Sequence, residues 1–216
     1  MQKVGAGEFR DLIRQRLAGS RPPGPDRIHM PGIPGDLPRM LRRIRVRRTV
    51  PAAVLVPLVE HDEGLTVLLT RRADHLKHHG GQVSFPGGRL EENDSGPADA
   101  AMREAAEEVG LPPDRVEIIG YLDTYITSTG YCVTPVIAFV RPGFELRIDE
   151  TEVAEAFEVP LRHVMDPDRV ELRERRFLGV SLTYYEIPYR HYNIWGATAG
   201  MLVSLRMALM GEGLRE

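Results

Sequence analysis

The chain has one cysteine and no long apolar run, and both absences narrow what it can be. The single cysteine, Cys132, excludes a disulfide framework and a cysteine-rich metal site. No stretch approaches the roughly 18 consecutive apolar residues that a membrane-spanning helix needs, so we expect no membrane contact. Residues 1–8 contain no apolar segment of the kind that a secretory signal carries. We therefore expect a cytoplasmic protein.

A large excess of charge of one sign is also missing, because 28 basic and 31 acidic residues give a net charge of −3. This balance gives no overall attraction to nucleic acid or to anionic membranes. One segment, residues 39–48, is strongly basic and could bind nucleic acid or the phosphates of a substrate. It contains no aromatic side chain on which bases could stack. We favour an amphipathic segment with solvated arginines and expect no nucleic-acid partner.

Length and composition indicate one domain with an N-terminal extension. A chain of 216 residues, 42% of them hydrophobic, can bury one sizeable core. We assign residues 1–48 to the extension and residues 49–216 to the domain. Within the extension, the apolar stripe of residues 9–17 predicts a short helix, and the Pro- and Gly-rich residues 19–38 predict an irregular arm. The arm could pack on the domain or on a second copy in a homodimer.

The rest of the chain combines strand patterns with a central and a terminal helix pattern, which predicts an α/β sandwich with a mixed sheet. Cys132 falls in a predicted strand, where a buried core cysteine is favoured over a nucleophile. Strands are predicted at residues 52–59, 65–71, 116–122, 131–140, 172–178 and 182–187, and helices at residues 97–109, 161–165 and 197–210.

Three glutamates lie within about one turn of the predicted central helix, shortly after the glycine pair Gly87 and Gly88. Helical neighbours at i, i+3 and i+4 lie about 5–6 Å apart at Cβ. Clustered carboxylates repel one another, and the cluster becomes favourable when a hard divalent cation sits among them. An ordinary solvated face would contain more lysines and would not follow a turn of this kind. The residues are Glu104, Glu107 and Glu108, and they predict a metal site for phosphate chemistry.

This segment resembles the signature of the Nudix hydrolase superfamily, GX5EX7REUXEEXGU, in which U is aliphatic. Asp94 stands at the position of the first glutamate, one extra residue separates it from Arg103, and Ala105 is a small occupant of the aliphatic position. The resemblance implies a Nudix-type α/β/α sandwich and a pyrophosphohydrolase that uses Mg²⁺ or Mn²⁺. The positions that fit the signature are Gly88, Arg103, Glu104, Glu107, Glu108, Gly110 and Leu111.

The resemblance also implies roles for individual residues. It gives Arg103 the role of bracing the helix, through a pair with Asp94. It leaves the general base open between Glu104 and a later loop acid, Glu152 or Glu155. It implies that the metal ligands are the carboxylates of Glu104, Glu107 and Glu108 and the carbonyl of Gly88.

A second motif lies upstream of the first and narrows the range of possible substrates. Residues 68–88 resemble the pattern LLTXR(S/A)X3RX3GX3FPGG of the coenzyme A pyrophosphatase branch of the superfamily, with Lys77 in place of an arginine. Lysine keeps the charge and loses the bidentate geometry. The resemblance implies hydrolysis of coenzyme A or acyl-coenzyme A to 3′,5′-ADP and 4′-phosphopantetheine or its acyl form. The predicted substrate-binding residues are Arg71, Arg72 and Lys77, although a surface role for Arg71 is equally consistent with its position at a strand end.

Two other functions are compatible with the same residues. The first is the same chemistry on another nucleoside diphosphate derivative, such as a dinucleotide polyphosphate, NADH or a nucleotide sugar. The second is a non-catalytic, nucleotide-binding regulator with a Nudix fold. The complete set of three glutamates argues against the regulator, because degenerate members usually lose those acids.

Overall fold

In the computed structural model of the protein, the described residues are 6–23, 28–29, 49–127, 129–177 and 180–210. The predicted basic segment, residues 39–48, lies outside these ranges. The described helices are α1 (Ala6–Leu17), α2 (Pro97–Val109), α3 (Leu161–Val164) and α4 (Gly196–Met210). The described strands are β1 (Ile28–His29), β2 (Val50–His61), β3 (Gly64–Arg72), β4 (Val83–Ser84), β5 (Gly87–Arg89), β6 (Val116–Tyr121), β7 (Thr124–Ile126), β8 (Tyr131–Val140), β9 (Val153–Pro160), β10 (Glu171–Phe177), β11 (Val180–Tyr189) and β12 (Tyr192–Trp195).

A large mixed sheet forms the middle of the fold. Its strands lie in the order β1–β7–β8–β2–β3–β4, and β5, β6 and β9 pair with β2, β8 and β3 respectively. The central strand β2 runs parallel to β8, and it pairs antiparallel first with β5 and then with β3. β2 continues through Pro57, which lies opposite Ala138 of β8. A second, antiparallel sheet consists of β10, β11 and β12.

Helices cover both faces of the large sheet and produce the predicted α/β/α sandwich. On one face, the small buried residues Ala101 and Ala105 of α2 allow close approach to Ala53 of β2. The opposite face carries a second core, which α1 and α4 cover. Side chains alternate between these faces along a strand, so Leu68 of β3 lies in the core under α2 and Leu69 in the other core.

Helix α1, in the predicted extension, packs on the domain. Phe9, Ile13 and Leu17 recur at helical spacing and are buried in the core that α4 also covers. At the end of the helix, the Ser20 hydroxyl accepts a hydrogen bond of 2.9 Å from the Tyr121 N–H of β6. The predicted stripe of residues 9–17 is therefore confirmed as a core-facing helix surface. No helix of the described ranges is both long and apolar enough to cross a membrane.

The predicted helices and strands are present, with small shifts at their ends, and several short or half-buried strands were not predicted. β9 was missed because most of its side chains are half-buried and do not alternate between apolar and polar. β5 was missed because two of its three residues are glycines, which have low strand propensity. Cys132 does lie in a strand, but it is half-buried, so the prediction of a core cysteine was wrong.

Candidate active site

The site is built around the glycine pair of β5, which lies between β2 and α2. Gly88 is opposite Ala53 of β2, and a Cβ atom at Gly88 would overlap the carboxylate of Glu104 from α2. A Cβ at Gly87 would lie 2.6 Å from the Cα of Val54 and would also overlap the Ala53 carbonyl oxygen. The backbone of β2 therefore requires glycine at Gly87, whereas a side chain at Gly88 would displace the carboxylate of Glu104.

Helix α2 places its acids beside this glycine pair. Its start and its end are both set by local sequence signals. Pro97 occupies the first turn, where a missing N–H costs nothing, and Gly110 ends the helix in the left-handed conformation with φ of 66°. The side chain of Glu108 is 4% exposed, and its Oε2 accepts a hydrogen bond of 3.3 Å from the Gly87 N–H. Glu104 is also largely buried, whereas the Glu107 side chain is 60% exposed.

The positive charge beside the two inner acids only partly offsets their burial: Arg103 donates to Glu104, and Arg72 lies 3.8 Å from Glu108. Burial raises the pKa of Glu108 to about 8, and the neighbouring Glu104 and Glu152 carboxylates raise it further, against the Gly87 N–H and Arg72. Burial also raises the pKa of Glu104; the Arg103 guanidinium opposes this rise, and the charges of Glu107 and Glu152 add to it. Hard carboxylate oxygens with this surplus of negative charge fit a divalent cation such as Mg²⁺ or Mn²⁺. Within the described part of the chain, no three potential ligand side chains already converge on one point.

Arg103 holds the acids in place, as predicted. Its Nε and Nη2 donate to the two carboxylate oxygens of Asp94 at 3.2 and 3.1 Å, a bidentate pair that lowers the pKa of Asp94. Its Nη1 donates to Glu104 at 3.0 Å and to Glu107 at 3.1 Å, and Nη2 also donates to the Arg89 carbonyl at 3.1 Å. One guanidinium therefore ties together the loop, β5 and α2.

We expect the substitution Asp94→Asn to lower kcat about 10- to 100-fold, because partners that orient metal ligands have effects of this size. Loss of the bidentate pair frees the Arg103 guanidinium, and Glu104 loses its fixed position. The measurement is kcat at saturating metal, together with the melting temperature. Glu92→Gln, an exposed acid of the same loop, is the control. Wild-type activity in Asp94→Asn would show that the brace is not needed.

Of the three predicted substrate-binding residues, Arg72 is the one that lies close to the acids of α2. Its Nη1 lies 3.8 Å from Glu108 Oε1, and its buried Nε has no hydrogen-bond partner within the described ranges. Arg71, the preceding residue of β3, is held by Glu155 at 2.6 Å and Asp74 at 2.8 Å. Lys77 is exposed in the loop between β3 and β4.

Comparison with known proteins identifies the family. The sequence pattern of the NUDIX domain matches residues 49–179. The chain belongs to the Nudix family. The "Uncharacterized Nudix hydrolase NudL" of Enterobacter sp. (strain 638) is 41% identical over 173 residues, which cover 80% of this chain and 88% of that protein. The protein of the same name from Shigella boydii serotype 4 (strain Sb227) is 42% identical over 159 residues, 73% of this chain and 82% of that protein.

One solved structure of a Nudix hydrolase is also similar to the chain. The crystal structure of a Nudix hydrolase from M. Smegmatis, RenU, has a TM-score of 0.46 and 27% identity, over 54% of this chain and 73% of that chain. Membership of the family makes this protein a Nudix hydrolase, and thus a pyrophosphohydrolase. Nudix hydrolases generally need divalent metal ions, which agrees with the surplus of buried carboxylates.

Two acids outside α2 (the Nudix helix) have different surroundings in the structure, although the sequence did not distinguish between them as general bases. Glu152 is exposed, and its charge acts on both Glu104 and Glu108. Glu155 lies in a different network, in which it accepts hydrogen bonds from Arg71 at 2.6 Å and from the Tyr192 hydroxyl at 2.9 Å. Both partners lower the pKa of Glu155. The prediction of a loop position is wrong for Glu155, which belongs to β9 and pairs with Arg71 of β3, and it is the charge of Glu152 that acts on the acids of α2.

Proposed function

We propose that this Nudix hydrolase cleaves the pyrophosphate of coenzyme A or of acyl-coenzyme A. The products would be 3′,5′-ADP and 4′-phosphopantetheine or its acyl form. The observation that supports this most strongly is the position of Arg72, the arginine that ends the Leu-Leu-Thr-X-Arg part of the upstream motif, at 3.8 Å from the buried Glu108 of the Nudix helix. The segment that resembles the coenzyme A branch therefore contributes to the same site as the acids.

The residues that would hold Mg²⁺ or Mn²⁺ are the ones that surround Gly88. When bound, the metal would lower the pKa of a water molecule and polarise the phosphoryl oxygens. Glu108 is buried and Glu104 is half-buried, and both lie beside the glycine pair. We propose the set Glu104, Glu107, Glu108 and the carbonyl oxygen of Gly88 as ligands.

The remaining residues of the site position the substrate and move the proton. Arg72 would donate to a phosphate oxygen through the exposed part of its guanidinium, since its side chain is 26% exposed beside Glu108. A carboxylate would accept the proton of the attacking water, and we propose Glu104 or Glu152 for this role. Arg103 is fully engaged by Asp94, Glu104 and Glu107, so it would brace the acids without touching the substrate.

The proposal predicts two products of defined mass. Purified protein is incubated with coenzyme A and with an acyl-coenzyme A, in the presence of Mg²⁺ or Mn²⁺, and the reaction is analysed by mass spectrometry. We expect 3′,5′-ADP in both reactions, with 4′-phosphopantetheine or its acyl form as the second product. Folded protein that forms neither product with either metal would contradict the proposed substrate.

A panel of competing substrates separates the alternatives. Equal or better turnover of a dinucleotide polyphosphate, NADH or a nucleotide sugar would assign the same chemistry to another substrate. Nucleotide binding without turnover of any of these compounds would indicate a regulator. A cytoplasmic location and a homodimer remain predictions, and the oligomeric state can be measured on the same sample by light scattering.

A further inference from the structure

Arg89 is the last residue of β5, and its partners differ from those of the other arginines of the site. Arg71, Arg72 and Arg103 each lie close to a carboxylate. The Nη2 of Arg89 instead donates a hydrogen bond of 2.9 Å to the hydroxyl of Tyr131. Its guanidinium carbon lies 5.5 Å from the centre of the Tyr131 ring. Because this partner is a neutral phenol, the positive charge of Arg89 is not neutralised by it.

The pairing of β5 with β2 places Arg89 on one face of the sheet, and Glu104 and Glu108 lie on the other face. Gly88 pairs with Ala53, which belongs to the core under α2, and Arg89 pairs with Ala52, which belongs to the other core. Successive residues of a strand point to opposite faces. Tyr131 also packs against the core on the Ala52 side. Arg89 and Tyr131 are therefore together on the second face, one residue away from Gly88.

This arrangement is rigid and remains open to an anion. The Arg89 carbonyl accepts a hydrogen bond of 3.1 Å from Arg103, so the backbone of Arg89 is fixed by the same brace that fixes the acids. The side chain is oriented by the Tyr131 hydroxyl. The guanidinium is exposed and has further N–H donors in a planar fork, which suits the oxygens of a phosphate.

We propose that Arg89, oriented by Tyr131, binds the 3′-phosphate of coenzyme A and makes the enzyme prefer coenzyme A to dephospho-coenzyme A. This inference rests on the proposed function. The diphosphate of that substrate belongs with the acids and Arg72 on one face. The 3′-phosphate is a separate anion several bonds from the cleaved linkage, so it needs its own cation away from the acids. Arg89 is such a cation, because Tyr131 does not neutralise its charge and because it lies on the other face of the sheet from the acids.

The test compares kcat/KM for coenzyme A and for dephospho-coenzyme A, which differ in this one phosphate. We expect Arg89→Ala to lower kcat/KM for coenzyme A about 10- to 100-fold, the effect of a lost hydrogen bond to a charged group. The value for dephospho-coenzyme A should stay close to that of the wild type. Arg89→Lys should be intermediate, and Tyr131→Phe should give a smaller loss for coenzyme A alone. Arg162→Ala, an exposed arginine of α3, is the control.

Each other outcome overturns the inference. An equal loss for both substrates would assign Arg89 to the diphosphate or to the support of β5, and no loss would remove it from the site. A wild-type enzyme that cleaves both substrates equally well would also overturn the inference and leave the proposed function intact. If neither substrate is cleaved, the proposed function fails. Calorimetry of nucleotide binding then tests whether Arg89 still recognises a 3′-phosphate. Wild-type protein should then bind 3′,5′-ADP more tightly than 5′-AMP, and Arg89→Ala should not; any other result overturns the inference.

Discussion

Glu108→Gln is expected to lower kcat by about 10³-fold, because a buried metal ligand contributes several kcal/mol to stabilisation of the transition state. The glutamine amide has nearly the same volume as the carboxylate and one oxygen that still accepts the Gly87 N–H. It lacks the negative charge that a hard cation requires. The folded state should not suffer, since the change removes a charge from a side chain that is 4% exposed. The measurement is kcat at saturating metal and substrate, with thermal unfolding of the same sample.

Glu150→Gln is the matched control for Glu108→Gln, because it removes one acid at an exposed position of the chain. Its kcat should equal that of the wild type, which excludes an effect of net charge alone. A Glu108→Gln enzyme with wild-type kcat and a wild-type dependence on metal concentration would remove Glu108 from the metal site.

Alanine substitutions at the two glycines of β5 should have different effects, one on activity and the other on stability. At Gly88 the added methyl group meets the carboxylate of Glu104, which is the end of a flexible side chain and can move. Displacement of that carboxylate should lower kcat by about 10²-fold, the scale of a misplacement near 1 Å, with little change in stability. At Gly87 the methyl group meets the Ala53 carbonyl and the Val54 Cα, which belong to the backbone of β2. Gly87→Ala should therefore cost at least about 1–3 kcal/mol of folding free energy.

Chemical denaturation and steady-state kinetics on both variants distinguish these two effects. Gly96→Ala is the control, because a Cβ at Gly96 meets no atom within 4 Å. It should be close to the wild type in activity. A Gly88→Ala enzyme that unfolds as easily as Gly87→Ala, or one that retains full activity, would contradict the position that the structure gives to Glu104.

The Nudix helix could be predicted from the sequence because its signals are local. Pro97, Gly110 and the small apolar stripe are contained in one segment, and so is the spacing of the three glutamates. The pair of Asp94 with Arg103 was also predictable, from the resemblance, and the structure confirms it in bidentate form. The shorter side chain of aspartate therefore still reaches the guanidinium in this loop.

The different surroundings of Arg71, Arg72 and Arg89 could not be predicted, because they depend on pairing between distant strands. Arg71 and Arg72 are adjacent in the sequence, and the register of β3 with β9 places Arg71 opposite Glu155, whereas Arg72 lies close to Glu108. Arg89 has no signature of its own, since its contact with Tyr131 depends on β5 and β8 pairing with the same strand, β2. Likewise, Glu152 and Glu155 could not be told apart from the sequence, because what separates them is their surroundings in the fold.

The central claim is that the acids around Gly88 bind a divalent cation, and a titration with Mn²⁺ tests it most directly. Binding is followed by electron paramagnetic resonance or by calorimetry on the wild type, Glu108→Gln, Gly88→Ala and the control Glu150→Gln. We expect saturable binding by the wild type and by the control, and affinities at least about tenfold weaker in the other two variants. Equal affinities in all four proteins would place the metal elsewhere and would contradict the claim.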